Sequence, residues 1–225
     1  MTPSHRFCAV VFDLDGTLVD TLPDIHEALN RALEEASLAP IDTEACRRMI
    51  GGGAHNLIEQ AFTAIGEPAD DPRIDAVFER FLVLYEAEPA VRSRPFDGVI
   101  EALDRLRAEN VALGVCTNKP HGLTEIVLRE LGLDGYFGDS VIGGDALEVR
   151  KPAAGHLLEV VRRTGHAASQ TLMVGDSETD VASARNAGLP IVAVDFGYTR
   201  TPPSQLGADI LISAFDQLPA AMSKI

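Results

Sequence analysis

Two aspartates two positions apart, Asp13 and Asp15, stand where the apolar run Cys8-Ala9-Val10-Val11-Phe12 ends, and Gly16-Thr17 follows them. A buried strand that carries two carboxylates to one place incurs a desolvation cost unless a cation or a proton answers their charge. The strand end is therefore a cation site, a proton-transfer pair, or both. Other chemistry-bearing residues also follow apolar runs. Thr117-Asn118-Lys119-Pro120 follows one and Gly175-Asp176-Ser177-Glu178-Thr179-Asp180 follows another, while Lys151-Pro152 opens a helical segment that could reach the same rim.

The residue types point to one chemistry. Asp13, Asp15 and Asp176 are hard oxygen donors without His or Cys nearby in sequence, which favours Mg²⁺ over zinc or copper. Thr117 and Asn118 offer side-chain hydrogen bonds to an anionic oxygen, and Lys151 a compact positive charge. Phosphoryl transfer needs this combination of positioning, charge neutralisation and an in-line nucleophile. One carboxylate would attack phosphorus and the other would manage protons. Asp13 directly follows the strand and is expected to be the more rigid, but the pair alone leaves the division of labour open.

These residues need a frame that brings together positions more than 150 apart. Apolar strand candidates recur at 7–12, 111–116, 140–142, 171–174, 190–194 and 209–212. Helix-period segments lie between most of them: Val99, Leu103 and Leu106; Leu123, Val127 and Leu131; Leu157, Val160 and Val161; and Asp180 to Ala187, ending at Gly188. Strands alternating with helices predict a parallel sheet covered on both faces. In such sheets ligands bind outside the carboxyl ends of the strands.

Residues 20–92 break the alternation. Leu22, Ile25, Leu29, Ala32 and Leu33 share a helical face, as do Leu57, Ile58, Ala61, Phe62 and Ile65, and again Ile74, Val77, Phe78, Phe81, Leu82 and Tyr85. Thr21-Leu22-Pro23-Asp24 reads as a capping box with Pro just inside the helix. Arg94-Pro95-Phe96-Asp97-Gly98 reads as a turn-rich return to the α/β pattern. The expected division is a core of 1–19 and 93–225 with a helical insert at 20–92.

Composition narrows the partners. A formal charge of −15 over 225 residues argues against nucleic acid or an anionic membrane surface. It also means that an anionic substrate needs a local cation. No apolar stretch approaches a membrane span, and Met1 to Phe7 does not read as a secretory leader, so a soluble cytoplasmic protein is the expectation, while the residue set above makes a small phosphorylated metabolite its expected partner. Cys8, Cys46 and Cys116 form neither a disulfide framework nor a zinc pattern, and Cys8 and Cys116 read as buried small hydrophobes.

Asp13-Leu14-Asp15-Gly16-Thr17-Leu18, Thr117-Asn118, Lys151-Pro152 and Gly175 to Asp180, in that order, resemble the four motifs of the haloacid dehalogenase superfamily of phosphatases across essentially the whole chain. The resemblance implies a Rossmann-like parallel-sheet core with an all-helical cap inserted after the first strand. It implies Asp13 as nucleophile and Asp15 as general acid/base. It implies phosphate binding by Thr117, Asn118 and Lys151. Mg²⁺ would be held by the Asp13 carboxylate, the Asp15 main-chain carbonyl and Asp176, with Asp180 in the outer shell. Within the superfamily the chain most resembles members that hydrolyse 2-phosphoglycolate, through Phe12 to Leu22, Val115 to Pro120, Ile142 to Asp145 and Phe196-Gly197-Tyr198. It departs from them at Gly51-Gly52-Gly53, where many carry Gly-Asn-Gly.

Blander readings exist for each part. Asp15 could cap the turn at Gly16, and acids such as Asp176 and Asp180 suit any helix start. Gly51, Gly52 and Gly53 are either a flexible link between cap helices or a backbone approach to the substrate's distal carboxylate. Arg47, Arg48 and Arg92 are possible carboxylate clamps, with surface ion pairing the default. Asp20 is expected to assist the first insert helix. The enzymatic alternatives are another small-phosphoester phosphatase or a sugar phosphomutase with the same core. A phospho-accepting signalling module is the alternative from another class.

Overall fold

The computed structural model describes residues 7–225; Met1 to Arg6, most of the segment read above as lacking a leader, lies outside them. Strand β1 (Ala9–Phe12) is followed by a two-residue strand β2 (Val19–Asp20) and four helices: α1 (Leu22–Glu35), α2 (Thr43–Met49), α3 (Ala54–Ala64) and α4 (Ile74–Ala87). Strand β3 (Arg94–Pro95) pairs antiparallel with β2, so that Asp20 lies opposite Arg94. The chain then runs through α5 (Val99–Ala108), β4 (Ala112–Cys116), α6 (His121–Glu130), α7 (Asp134–Phe137), β5 (Val141–Ile142), α8 (Ala154–Thr164), β6 (Thr171–Gly175), α9 (Glu178–Ala187), β7 (Ile191–Val194), β8 (Ile210–Ile212) and α10 (Leu218–Met222).

Six strands form one parallel sheet in the order β5-β4-β1-β6-β7-β8. Each lies within about two residues of its expected position. The sheet is apolar on both sides because both are covered. Alternation along β1 sends Val10 and Phe12 to a cluster with α5, α6 and α10, and Val11 to a second cluster with α8 and α9. Each of these three side chains is fully buried, stabilising the fold by about 1.5–3 kcal/mol. That burial helps offset the cost of ending the strand in acids.

The four insert helices hold a third apolar cluster of their own, joined from the sheet domain by Leu123 and Tyr198. The three anticipated faces are its walls. Helix α2 was not anticipated, because Thr43–Met49 is too short and too polar to show a periodic face. The β2–β3 ribbon was missed as well: two-residue strands carry no alternation, and Arg94-Pro95 reads only as a turn.

Two local expectations are corrected. Thr21 makes no capping hydrogen bond to α1, because its hydroxyl donates to Asp15 Oδ1 (2.8 Å). The Asp24 carboxylate instead accepts from the Arg92 and Ser93 amides and the Ser93 hydroxyl (2.6–3.0 Å), tying α1 to the returning chain. Cys116 is buried as expected, but Cys8 is only half-buried. Among the described residues no helix is long and apolar enough to cross a membrane.

Candidate active site

The central strands β1, β4 and β6 end side by side, and their ends deliver the anticipated polar residues to one rim. The Asp13 carboxylate lies 2.9 Å from Lys151 Nζ, which also reaches Asp180 Oδ1 at 2.7 Å. Asp13, Asp176 and Asp180 each offer an oxygen within 4.8 Å of the others, and all three are buried. Burial and the neighbouring acids Asp180 and Asp15 push the Asp13 carboxyl up to about 7, although Lys151 opposes the rise. Burial, Asp180 and Asp13 push Asp176 well above the ordinary carboxylate range. Burial alone would lower the Lys151 ammonium, but Asp13 and Asp180 hold it above its usual value. This crowding of buried hard donors is the chemistry a divalent ion relieves, so the set fits Mg²⁺.

Neighbouring groups orient the acids. Asp176 accepts from the Thr17 hydroxyl (2.8 Å) and the Tyr198 amide (2.7 Å). Only glycine fits around it: a Cβ at Gly197 would meet the Asp176 side chain at 2.3 Å, and one at Gly16, whose φ is +84°, would meet Oδ2 at 2.6 Å. Asp180 completes a capping box with Ser177 at the start of α9. Its Oδ1 takes Lys151 and its Oδ2 takes the amides of Asp176 and Ser177 and the Ser177 hydroxyl. One residue thereby caps a helix and anchors a lysine.

Asp15 points elsewhere. Its carboxylate receives Thr21 and the ammonium of Lys119 (3.1 Å) and is not part of the acidic trio. Asp13 and Asp15 both line a cleft between the sheet rim and the insert. Thr117 lines it too, and its hydroxyl hydrogen has no acceptor among the described residues. Asn118 differs from expectation: its amide donates to the Gly51 carbonyl (3.0 Å) and the Lys151 carbonyl (3.1 Å), so both N–H groups are committed and neither is free for a phosphate oxygen. Asn118 Oδ1 is buried without a partner.

The insert meets this rim through the anticipated glycines. Gly51, Gly53 and Ala54, at the start of α3, line the cleft; Gly52 does not, and faces Asn56. Gly51 presents a carbonyl to Asn118 rather than an N–H. Among the described residues no arginine lines the cleft, although the Arg150 guanidinium lies close to Gly53, 3.1 Å from where a Cβ would stand. Arg92 pairs with Glu27 and Asp24, Arg47 lies over the Tyr198 ring, and the Arg48 carbonyl accepts from Arg200. Asp20 acts on α1 at one remove, since Tyr198 donates to Asp20 and accepts from the Leu22 amide. The residue that sequence reasoning passed over is Lys119. Its neighbours Thr117 and Asn118 were singled out, but a lysine beside a proline has no mark that separates it from a solvated one.

Known proteins resemble this chain in sequence and in fold. The profile of the haloacid dehalogenase-like hydrolase family matches residues 10–194. A phosphoglycolate phosphatase of Rhodospirillum rubrum is 44% identical over 214 residues, 93% of this chain and 88% of that one. One of Caulobacter vibrioides is 43% identical over 212 residues, 94% and 89% of the two chains. A crystal structure from Haemophilus somnus, described as a predicted phosphoglycolate phosphatase, superposes with a TM-score of 0.90 at 29% identity, covering 96% of this chain and 98% of that one. With a matching profile over most of its length, relatives of this identity and a shared fold, the chain belongs to the haloacid dehalogenase-like hydrolase family.

Proposed function

We propose that this protein hydrolyses 2-phosphoglycolate to glycolate and phosphate, with Mg²⁺, through a phosphorylated Asp13. The broader statement, that it is a phosphoric monoester hydrolase, rests on its family and its relatives. The observation that carries the finer reading is the pairing of Asp13 with Lys151 beside two further buried acids, in a cleft that Asp15 also lines.

In this reading an Asp13 carboxylate oxygen attacks phosphorus and the bond from phosphorus to the ester oxygen breaks. Asp15 gives its proton to the departing glycolate oxygen. Asp15 then takes a proton from water as that water attacks the phosphorus, and the bond to Asp13 breaks to release phosphate. Thr117 donates to a phosphoryl oxygen, and Lys151 neutralises charge at Asp13. Asp13, Asp176 and the Asp15 main-chain carbonyl would hold Mg²⁺, with Asp180 outside them. The ion, when bound, offsets charge that develops on the phosphoryl oxygens. Residues 20–92 serve as a cap that keeps bulk water from the acyl phosphate.

The wall of the cleft offers little to a sugar. Ile25, Ile50, Leu57, Phe81 and Leu123 supply much of it and offer nothing to a row of hydroxyls. A screen of phosphorylated metabolites with and without Mg²⁺ tests the reading. Prompt, Mg²⁺-dependent, repeated turnover of 2-phosphoglycolate supports it. Release of phosphate from other esters but not this one refutes the substrate, and a stable stoichiometric phospho-aspartate would favour a signalling role. Asp13→Asn is expected to lower turnover by at least about a thousandfold with the fold intact by circular dichroism.

A further inference from the structure

Lys119 is a cation in an unusual place. Its side chain is 3% exposed, yet it lines the cleft, where it is the one cationic side chain among the described residues. The Asp15 carboxylate holds its ammonium at 3.1 and 3.4 Å, and the Tyr85 hydroxyl lies at 2.6 Å. The Tyr85 ring centroid is 4.3 Å from Nζ. An ammonium carries three donors. Tyr85 takes one, Asp15 Oδ1 a second, and Asp15 Oδ2 the third at a long 3.4 Å. The 3.4 Å contact is the longest and weakest of the three, and it is the one an incoming carboxylate oxygen would replace. The chain meanwhile carries a formal charge of −15, so an anionic substrate needs a cation close at hand.

We infer that Lys119 reads the leaving group: its ammonium receives a carboxylate placed one carbon from the ester oxygen, selecting phosphomonoesters of 2-hydroxy acids. The inference rests on the hydrolytic reading above, in which Asp15 touches the ester oxygen. In such an ester the carboxylate oxygens lie roughly 3–4 Å from the ester oxygen, three bonds away. Lys119 Nζ is 3.1 Å from Asp15, so it flanks the position that a carboxylate on the next carbon would take. The uncapped start of α3, where Gly53 makes no side-chain cap, faces the same cleft and adds a favourable field. Ile50, Leu57 and Phe81 line the same cleft and offer an anion no hydrogen bond. The alternative is that Lys119 only positions Asp15.

The test is a ratio. Steady-state kcat/KM is measured for 2-phosphoglycolate and for ethyl phosphate, which differ in the carboxylate, with the full-length enzyme, its Lys119→Met variant and Mg²⁺. The wild-type ratio is expected to favour 2-phosphoglycolate, and Lys119→Met to collapse it by about a hundredfold, mainly through KM. A residue that only positions Asp15 would lower both substrates by one factor and leave the ratio unchanged, which overturns the inference alone. A wild type that cleaves both esters without preference overturns the substrate assignment as well. Should Lys119→Met fail to fold, Lys119→Gln carries the same ratio test, since its amide still donates toward Asp15.

Discussion

At the scale of single residues, the site depends on neighbours that never touch a substrate. Thr17 is an example: its hydroxyl fixes one oxygen of Asp176 while the Tyr198 amide fixes the other. Outer hydrogen bonds of this kind orient metal-binding carboxylates. Thr17→Val should raise the Mg²⁺ concentration needed for half-maximal activity about fivefold, the equivalent of roughly 1 kcal/mol, with kcat at saturating Mg²⁺ little changed. A Mg²⁺ titration of the variant checks this. That Asp13, Asp15, Thr117, Asp176 and Asp180 meet at one rim was legible in the sequence because each follows a strand or opens a helix, and a parallel sheet gathers such ends; Lys151, on the approach to α8, joins them there. The partners of Asn118 and Lys119 were not legible. Gly51, 67 positions away, and Tyr85, 34 positions away, come from the insert, and nothing along the chain ties them to the rim.

At the scale of elements, strands were easier to read than their connections. The six sheet strands announced themselves as apolar runs of Val, Ile and Leu, whereas α2 and the β2–β3 ribbon lack a period long enough to detect. The ribbon's integrity depends on Asp24, a buried carboxylate one turn into α1 that receives two amides and a hydroxyl from the returning strand. Its removal leaves those donors without an acceptor in a dry place, at a cost of about 2–3 kcal/mol. Asp24→Ala should therefore lower the Tm by roughly 4–12 °C, read by calorimetry. It should also raise hydrogen exchange in residues 91–94 more than in β1. An unchanged melting profile would mean that the ribbon is held by the insert's apolar cluster instead.

At the scale of the whole molecule, the acidic site opposes the fold that holds it. Asp13 titrates near 7 in the native chain against 3.8 for an ordinary aspartate, and Asp176 is raised as well. The native state therefore keeps protons that the unfolded chain has already released between those values. Without metal, these groups favour folding at low pH, and their contribution is lost as pH rises toward 7. Mg²⁺ competes with the same protons. The increase in Tm on adding saturating Mg²⁺ should thus be larger at pH 8 than at pH 5.5, and differential scanning fluorimetry at both values checks it. An equal increase at the two pH values would detach the ion from these carboxylates.

Asp20 and Arg94 face each other across the ribbon, so the chain departs the sheet domain and rejoins it at a single doorway. A tight turn could bridge that gap without disturbing any strand of the sheet. Everything from Leu22 to Ala87 lies between those two short strands. Replacing Leu22 to Ala87 by such a turn is therefore expected to leave the six-stranded sheet folded while stripping Tyr85 from Lys119 and Gly51 from Asn118.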